Sequence, residues 1–313
     1  MPPHRDNQGM TPHRKGILLA LAAVLLWSTS AAGILWSSTR VGPWQFLAIA
    51  CLIGGLAQVA FYRRRRYAWR QILLPPPRLW GLILLCFVAY MIVFTLGLVS
   101  AVSDTQRVGV ALANYLWPTL TVVLAVLLVP GTKMHVRLAI GVGIALLGLA
   151  MANWGDIRRV LGNDASVPLT PYILGLAAAV TWAAYSAILS RWRASAAMLP
   201  TAPLAFLLTG LIAAAICTLT GSWRAVDLAS WAGIAFVGLG PQGLGYLLWE
   251  LALHKAPAGQ LGLLGSLTPV LSTLWLLWLF RAGSGGQTTA DIPVLLASAG
   301  LIGCAVLVGR SDR

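Results

Sequence analysis

Side chains able to do acid–base, nucleophilic or metal chemistry are few in this chain of 313 residues, and they do not cluster. It has 8 Asp and Glu, 4 His and 4 Cys. Cys51, Cys86, Cys217 and Cys304 fall in four different apolar runs, where a small buried thiol is the expected role. His4, His13, His135 and His254 are scattered. No metal site and no cofactor is expected, and no His, Ser, Asp or Glu group has catalytic spacing, so the chain is not read as an enzyme. A membrane-embedded enzyme is kept only as the alternative of another class. One acid lies inside an apolar run, Glu250. Ionisable groups at such places are functional by default. Two roles are open to it: proton coupling, or a snorkelling carboxylate paired with His254 at i+4.

What remains able to hold a ligand is aromatic rings, amides and broken backbone. Of 14 Trp, half stand at run ends (Trp36, Trp44, Trp80, Trp154, Trp223, Trp231, Trp249), where an amphipathic ring belongs at the headgroup level. Trp27, Trp117 and Trp182 stand centrally, where that explanation fails. Cavity lining is the reading for Trp117 and Trp182, whereas Trp27 is equally open to packing. Pro lacks an N–H, so Pro118 frees the carbonyl of Asn114, Pro269 that of Gly265 and Pro241 that of Val237. Unpaired carbonyls at membrane depth must face protein or a wet cavity. They would accept from an ammonium group, and the adjoining half-helix N-termini favour a carboxylate. The competing account is a plain kink, its carbonyls met by Ser266 or Thr268. Tyr90, Phe94, Asn114, Tyr115, Tyr185, Tyr246 and Ser266 lie near these breaks and complete an expected site. There Trp117 and Trp182 meet the substrate side chain, while Asn114 and the freed carbonyls hold its amino group. Pro118, Pro269, Pro241 and Gly245 are the expected joints, the last two in a glycine-rich stretch, Gly238–Gly245.

The elements that must position these residues follow from composition. The chain is 58% hydrophobic and 10% charged, with a mean hydropathy of +0.81; soluble domains carry about 25% charged residues. A helix crossing a hydrocarbon core of about 30 Å needs roughly 20 apolar residues. Ten such runs are present: Ile17–Trp36, Trp44–Tyr62, Trp80–Ser100, Val108–Val129, Leu138–Trp154, Tyr172–Leu189, Ala196–Leu219, Leu228–Leu253, Leu261–Phe280 and Ile292–Val308. Val41-Gly42-Pro43, Pro75-Pro76-Pro77, Pro130-Gly131 and Gly283-Ser284-Gly285-Gly286 punctuate them. The net charge of +14 would suggest nucleic acid in a soluble protein; here it orients the chain. With cytoplasmic termini, 11 of 22 Lys and Arg lie inside in the first half, led by Arg63–Arg66, against Arg40 and Arg107 outside. Arg63–Arg66 would also grip anionic lipid.

The runs repeat. Leu21–Ser28 and Leu176–Ala183 are similar strings that place Trp27 and Trp182 at an offset of 155; Gly148 and Gly303 share it. Trp80 with Trp231 and Pro118 with Pro269 are offset by 151. Five helices per unit is odd, so the second unit enters from the opposite face, as inverted-repeat transporters do. The repeat-equivalent of Pro241 is Tyr90, so the units are expected to differ there. The division reads 1–15 cytoplasmic tail, 16–154 first repeat, 155–171 outside linker, 172–309 second repeat and 310–313 cytoplasmic tail.

Two five-helix units, a paired Trp in the first helix of each and a Pro in the middle of each fourth helix resemble the drug/metabolite transporter superfamily, EamA type. Asn114-Tyr115-Leu116-Trp117-Pro118 is similar to the YddG-type aromatic amino acid exporters within it. The resemblance implies export of aromatic and other neutral amino acids across a bacterial inner membrane, by a multi-pass protein working by alternating access around a midplane cavity. A monomer in the bilayer, with no nucleic-acid partner, is expected. So little intramembrane charge favours facilitated diffusion. The alternative is a proton-coupled multidrug or cation exporter, which wants a more central acid than Glu250. A phosphate-bearing substrate would want intramembrane Lys or Arg, and none is present.

Overall fold

A computed structural model describes residues 11–128, 136–162, 166–193, 200–253, 255, 264–283 and 291–308, with no strand among them. Residues 1–10 and 310–313 of the expected tails, His4, His135, His254, Pro130-Gly131, Ser284-Gly285-Gly286 and the start of the ninth run lie outside the described residues. In chain order the helices are α1 (Pro12–Ser28), α2 (Ser30–Val41), α3 (Pro43–Arg64), α4 (Trp69–Leu73) and α5 (Pro77–Leu82), which passes through a π-helical stretch, Ile83–Val88, into α6 (Ala89–Ser100). Next come α7 (Asp104–Asn114), α8 (Trp117–Leu128), α9 (Val136–Ala152), α10 (Trp154–Leu161), α11 (Thr170–Arg193) and α12 (Ala202–Leu219). Then α13 (Leu228–Val237) continues through a second π-helical stretch, Gly238–Gly245, into α14 (Tyr246–Leu253), followed by α15 (Thr268–Gly283) and α16 (Ile292–Val308).

Among the described residues, five stretches are long and apolar enough to cross a bilayer: Pro12–Val41, Pro43–Arg64, Leu79–Ser100, Thr170–Ile188 and Ala202–Leu219. A sixth would be α9 with α10, which meet at a bend of 77°. The segment expected as a plain linker from 155 therefore starts inside a helix. Its apolar Ile157, Val160 and Leu161 recur at helical spacing among Asp156, Arg158 and Arg159. Turn chemistry is as the breakers require: Gly42 takes φ 89° between α2 and α3, ahead of Pro43 in the first turn of the new helix. Asp227 caps α13, accepting from the Ser230 N–H at 2.6 Å. That bond, the Ser230 hydroxyl and the nearby Arg40 charge hold its carboxyl below the usual range.

The unbroken helices form a frame in which small residues let backbones approach. α3 packs along α12 and α9 along α16. A Cβ on Gly55 would fall 2.9 Å from the Leu207 side chain, and one on Gly210 would fall 2.7 Å from that of Leu52. Both pairs, 55 with 210 and 52 with 207, are separated by 155, the offset of the sequence repeat. A contact that maps onto itself when its partners are exchanged is the mark of two-fold relation. Gly148 packs in the same manner, its Cβ position 2.8 Å from the Ser298 carbonyl oxygen of α16.

Candidate functional site

The other helices do not run straight through. α1 gives way to α2 at Thr29, α7 to α8 at Tyr115–Leu116, and α15 begins after a turn at Ser266–Leu267. Pro118 and Pro269 sit second in α8 and α15, where no N–H is needed. Instead of kinking a continuous helix, as expected, each Pro starts a new one. The turn closes on its own bonds: Tyr115 N–H donates to the Ala111 carbonyl at 3.0 Å and Leu116 N–H to that of Ala113 at 3.2 Å. Leu267 N–H donates to the Leu264 carbonyl at 3.1 Å in the equivalent turn. Pro241 lies in the second π-helical stretch, whose wider turn absorbs the missing donor. The expected difference between repeats is smaller than the residues suggest, because Ile83–Val88 makes the same irregularity without a Pro.

These discontinuities converge on one cavity of about 40 Å³, lined by Trp27, Ser30, Tyr90, Phe94, Asn114, Tyr115, Trp117, Trp182, Tyr246 and Thr268. Eight of those ten lie within two residues of a break or a π-helical stretch, Phe94 and Trp182 being the exceptions. The breaks thus make the cavity, by turning side chains and helix ends inward together. At the ~10–15 Å³ each water requires, it has room for roughly three waters, so an aromatic side chain would enter only if the walls move.

Among the described residues, none in the lining carries a charge. The rings form a continuous wall: Trp182 lies 5.0 Å from Tyr90, 5.4 Å from Tyr246 and 6.3 Å from Trp117, and Trp27 lies 5.0 Å from Tyr246. Tyr90 and Phe94 are stacked within 6° of parallel. The Tyr90 hydroxyl faces Asn114 and the Tyr246 hydroxyl. Asn114 is 2% exposed, yet its Oδ1 has no partner among the described residues, and neither has the indole N–H of Trp27. An unmet buried acceptor costs about 1–3 kcal/mol. The first turns of α2, α8 and α15 present Ser30, Trp117 and Thr268 to the same space, so three partly positive helix ends meet an unmet acceptor there.

The sequence pattern of the EamA-like transporter family matches residues 14–154 and again 169–307. The chain belongs to that family. Its two matched units are repeated transporter modules rather than parts of an enzyme. Among its relatives are two proteins named aromatic amino acid exporter YddG. That of Escherichia coli (strain K12) is 32% identical over 57% of this chain and 60% of its own length. That of Ancylobacter novellus is 29% identical over 93% of this chain and 94% of its own. The match to the first therefore spans about three-fifths of that relative's length. A solved crystal structure is similar at a TM-score of 0.65 with 25% identity, over 94% of this chain and 96% of its own.

Eight of the ten residues expected to hold a ligand thus share one cavity of this EamA-like transporter, and two do not. Tyr185 stacks behind Trp182 at 5.0 Å, and its hydroxyl is 2.5 Å from that of Thr201. Ser266 is buried in the turn before α15, where its carbonyl oxygen would lie 2.5 Å from a Cβ on Gly303. Gly245 ends the second π-helical stretch, and a Cβ there would stand 2.9 Å from the Trp27 indole nitrogen. Glu250 is absent from the lining and accepts from the Tyr62 hydroxyl at 2.5 Å, tying α14 to α3. Its expected partner His254 lies outside the described residues.

Three contributors escape the sequence reading. Ser30 follows the break in the Ser28-Thr29-Ser30 run, a polar triplet inside an apolar stretch that is itself the signal. Thr268 is expected only as a partner for the kink. Phe87 backs the wall, 5.3 Å from each of Trp182, Tyr185, Phe206 and Tyr246, and nothing in its apolar surroundings distinguishes it.

Proposed function

We propose that this transporter exports amino acids, chiefly aromatic and other neutral ones, from the bacterial cytoplasm across the inner membrane. The observation that carries the reading is the lining: all rings and neutral polar groups, with an unmet Asn114 Oδ1 and three half-helix N-termini. A zwitterion suits that combination. Its ammonium group finds the orphaned acceptor, its carboxylate the helix ends, and its side chain stacks on Trp117 or Trp182. A net cation would lack a counter-charge, and an organic anion would leave the Asn114 oxygen unmet. The names of the relatives support the same substrate class.

In this reading ten spans form two inverted five-helix repeats, 16–154 and 172–309, joined by an outside linker at 155–171, with both terminal tails cytoplasmic. The reciprocal Gly55–Leu207 and Gly210–Leu52 contacts support that relation. A cavity too small for substrate at the meeting of breaks suits alternating access, with half-helices swinging on the joints at Pro118, Pro269, Pro241 and Gly245. Facilitated diffusion by a monomer needs no carboxylate in the cavity, and Glu250 is placed outside its lining.

Counterflow into proteoliposomes tests the substrate class. Labelled phenylalanine should exchange, whereas phenethylamine (no carboxylate) and phenylpropionate (no amine) should compete at least about tenfold more weakly, the worth of one charge-assisted contact. Equal competition by either analogue would remove the zwitterion reading.

A further inference from the structure

Beside α10 lies a second, larger cavity of about 430 Å³ between α9, α10 and α11. Leu146, Ile157, Val160, Leu169, Ile173 and Leu176 belong to its walls, which are almost wholly apolar. It is unlike the aromatic cavity in opening sideways: Leu161 beside it is 75% exposed, Ile173 63% and Leu146 53%. In a protein surrounded by hydrocarbon, such a furrow faces acyl chains. α10 roofs it as an amphipathic helix at a 77° turn from α9, with Arg158 and Arg159 on the opposite face from Ile157, Val160 and Leu161. The roof is fastened by Tyr172, whose hydroxyl donates to Asp156 Oδ2 at 2.6 Å.

Those arginines are adjacent, whereas Arg40, Arg107, Arg224 and Arg281, the other basic residues expected at this end of the helices, stand singly. Arg107 is paired with Asp104 at 2.9 Å, and Arg40 lies 3.8 Å over the Trp36 ring. Arg159 donates to Ser166 at 2.7 Å and reaches Asp156 only at 4.0 Å. Arg158 is exposed and has no side-chain partner among the described residues. An apolar slot under a helix that carries two adjacent cations is complementary to one class of molecule, an anionic phospholipid.

We propose that the α9–α10–α11 groove is a specific site for an anionic phospholipid of the bilayer. One acyl chain lies between Ile157, Val160, Ile173 and Leu176, and the phosphate is held by Arg158 with Arg159. The groove is one residue from the aromatic cavity: Ala113 of α7 lines the groove and Asn114 lines the cavity. A seated chain would therefore brace the helix that presents Asn114.

Native mass spectrometry of the full chain, titrated with phosphatidylglycerol or with phosphatidylethanolamine of the same acyl chains, tests this. One phosphatidylglycerol should be retained in preference to phosphatidylethanolamine, and R158Q and R159Q should each weaken its retention roughly fivefold. Changing Arg63 and Arg64 to Gln should leave that adduct in place. Ile173→Asp, which puts a charge on the exposed groove wall, should lower retention of both lipids. Equal retention of the two lipids by the unaltered protein, or an adduct indifferent to R158Q with R159Q, would overturn the site. So would loss of the adduct only in the Arg63/Arg64 variant, since the lipid would then sit on the other cluster.

Discussion

Two sets of helices in this molecule are built from similar apolar residues and behave differently. In α3, α9, α12 and α16 the backbone is continuous, and glycines at the crossings bring helices so close that an added Cβ would meet a neighbour at 2.7–2.9 Å. Around the aromatic cavity, the chain instead stops and restarts at Thr29, Tyr115–Leu116 and Ser266–Leu267, or loosens into π-helical turns at Ile83–Val88 and Gly238–Gly245. The first set packs small residues at its crossings, and buried polar side chains in it, such as Gln58 and Thr209, donate to backbone carbonyls. The second gathers large rings, hydroxyls and helix ends. Apolarity alone therefore does not say where a membrane protein works; breaks in the backbone are the better guide, since a broken helix frees backbone polar groups at membrane depth.

The contrast can be broken at its strongest point first. Gly148→Leu should drive a side chain into the Ser298 carbonyl region and cost about 1–3 kcal/mol or more. Thermal unfolding in detergent should show a lower midpoint, and any residual transport should keep its substrate preference. If Gly148→Leu left stability intact and changed the substrate preference, frame and site would not be separable. At the joint the order reverses. Gly245→Ala should press on the Trp27 ring, slowing phenylalanine counterflow several-fold, with a shift in melting smaller than that of Gly148→Leu. The smallest effect sharpens the border between the regions. Glu250→Gln keeps an acceptor for the Tyr62 hydroxyl, so counterflow should change by less than about twofold, and an imposed pH gradient should drive no uphill uptake in either protein. Gradient-driven uptake abolished by Glu250→Gln would reinstate proton coupling.

Much of the fold was legible because its signals are local and redundant. Long apolar runs, Gly-Pro punctuation and the offsets of 151 and 155 each point to repeated membrane helices. The site was legible where a residue marks a break: Pro118 and Pro269 led to Asn114, Tyr115 and Trp117. It was illegible where the backbone changes without such a marker. Ile83–Val88 widens into a π-helix with no Pro or Gly, so the symmetry with Gly238–Gly245 left no trace. α10 was hidden because its Asp156, Arg158 and Arg159 read as loop polarity, and eight residues are too few for periodicity to stand out. Tyr185 and Ser266 are suggested by their nearness to the breaks, but nearness does not say which way a side chain turns.

The central claim is that the junction of broken helices is where the substrate sits. Phenylalanine counterflow in proteoliposomes containing Asn114→Ala or Trp117→Ala tests it most directly, with melting temperature measured on the same preparations. The account predicts a loss of about tenfold or more in each variant without a matching loss of stability. Unchanged counterflow in both would contradict it.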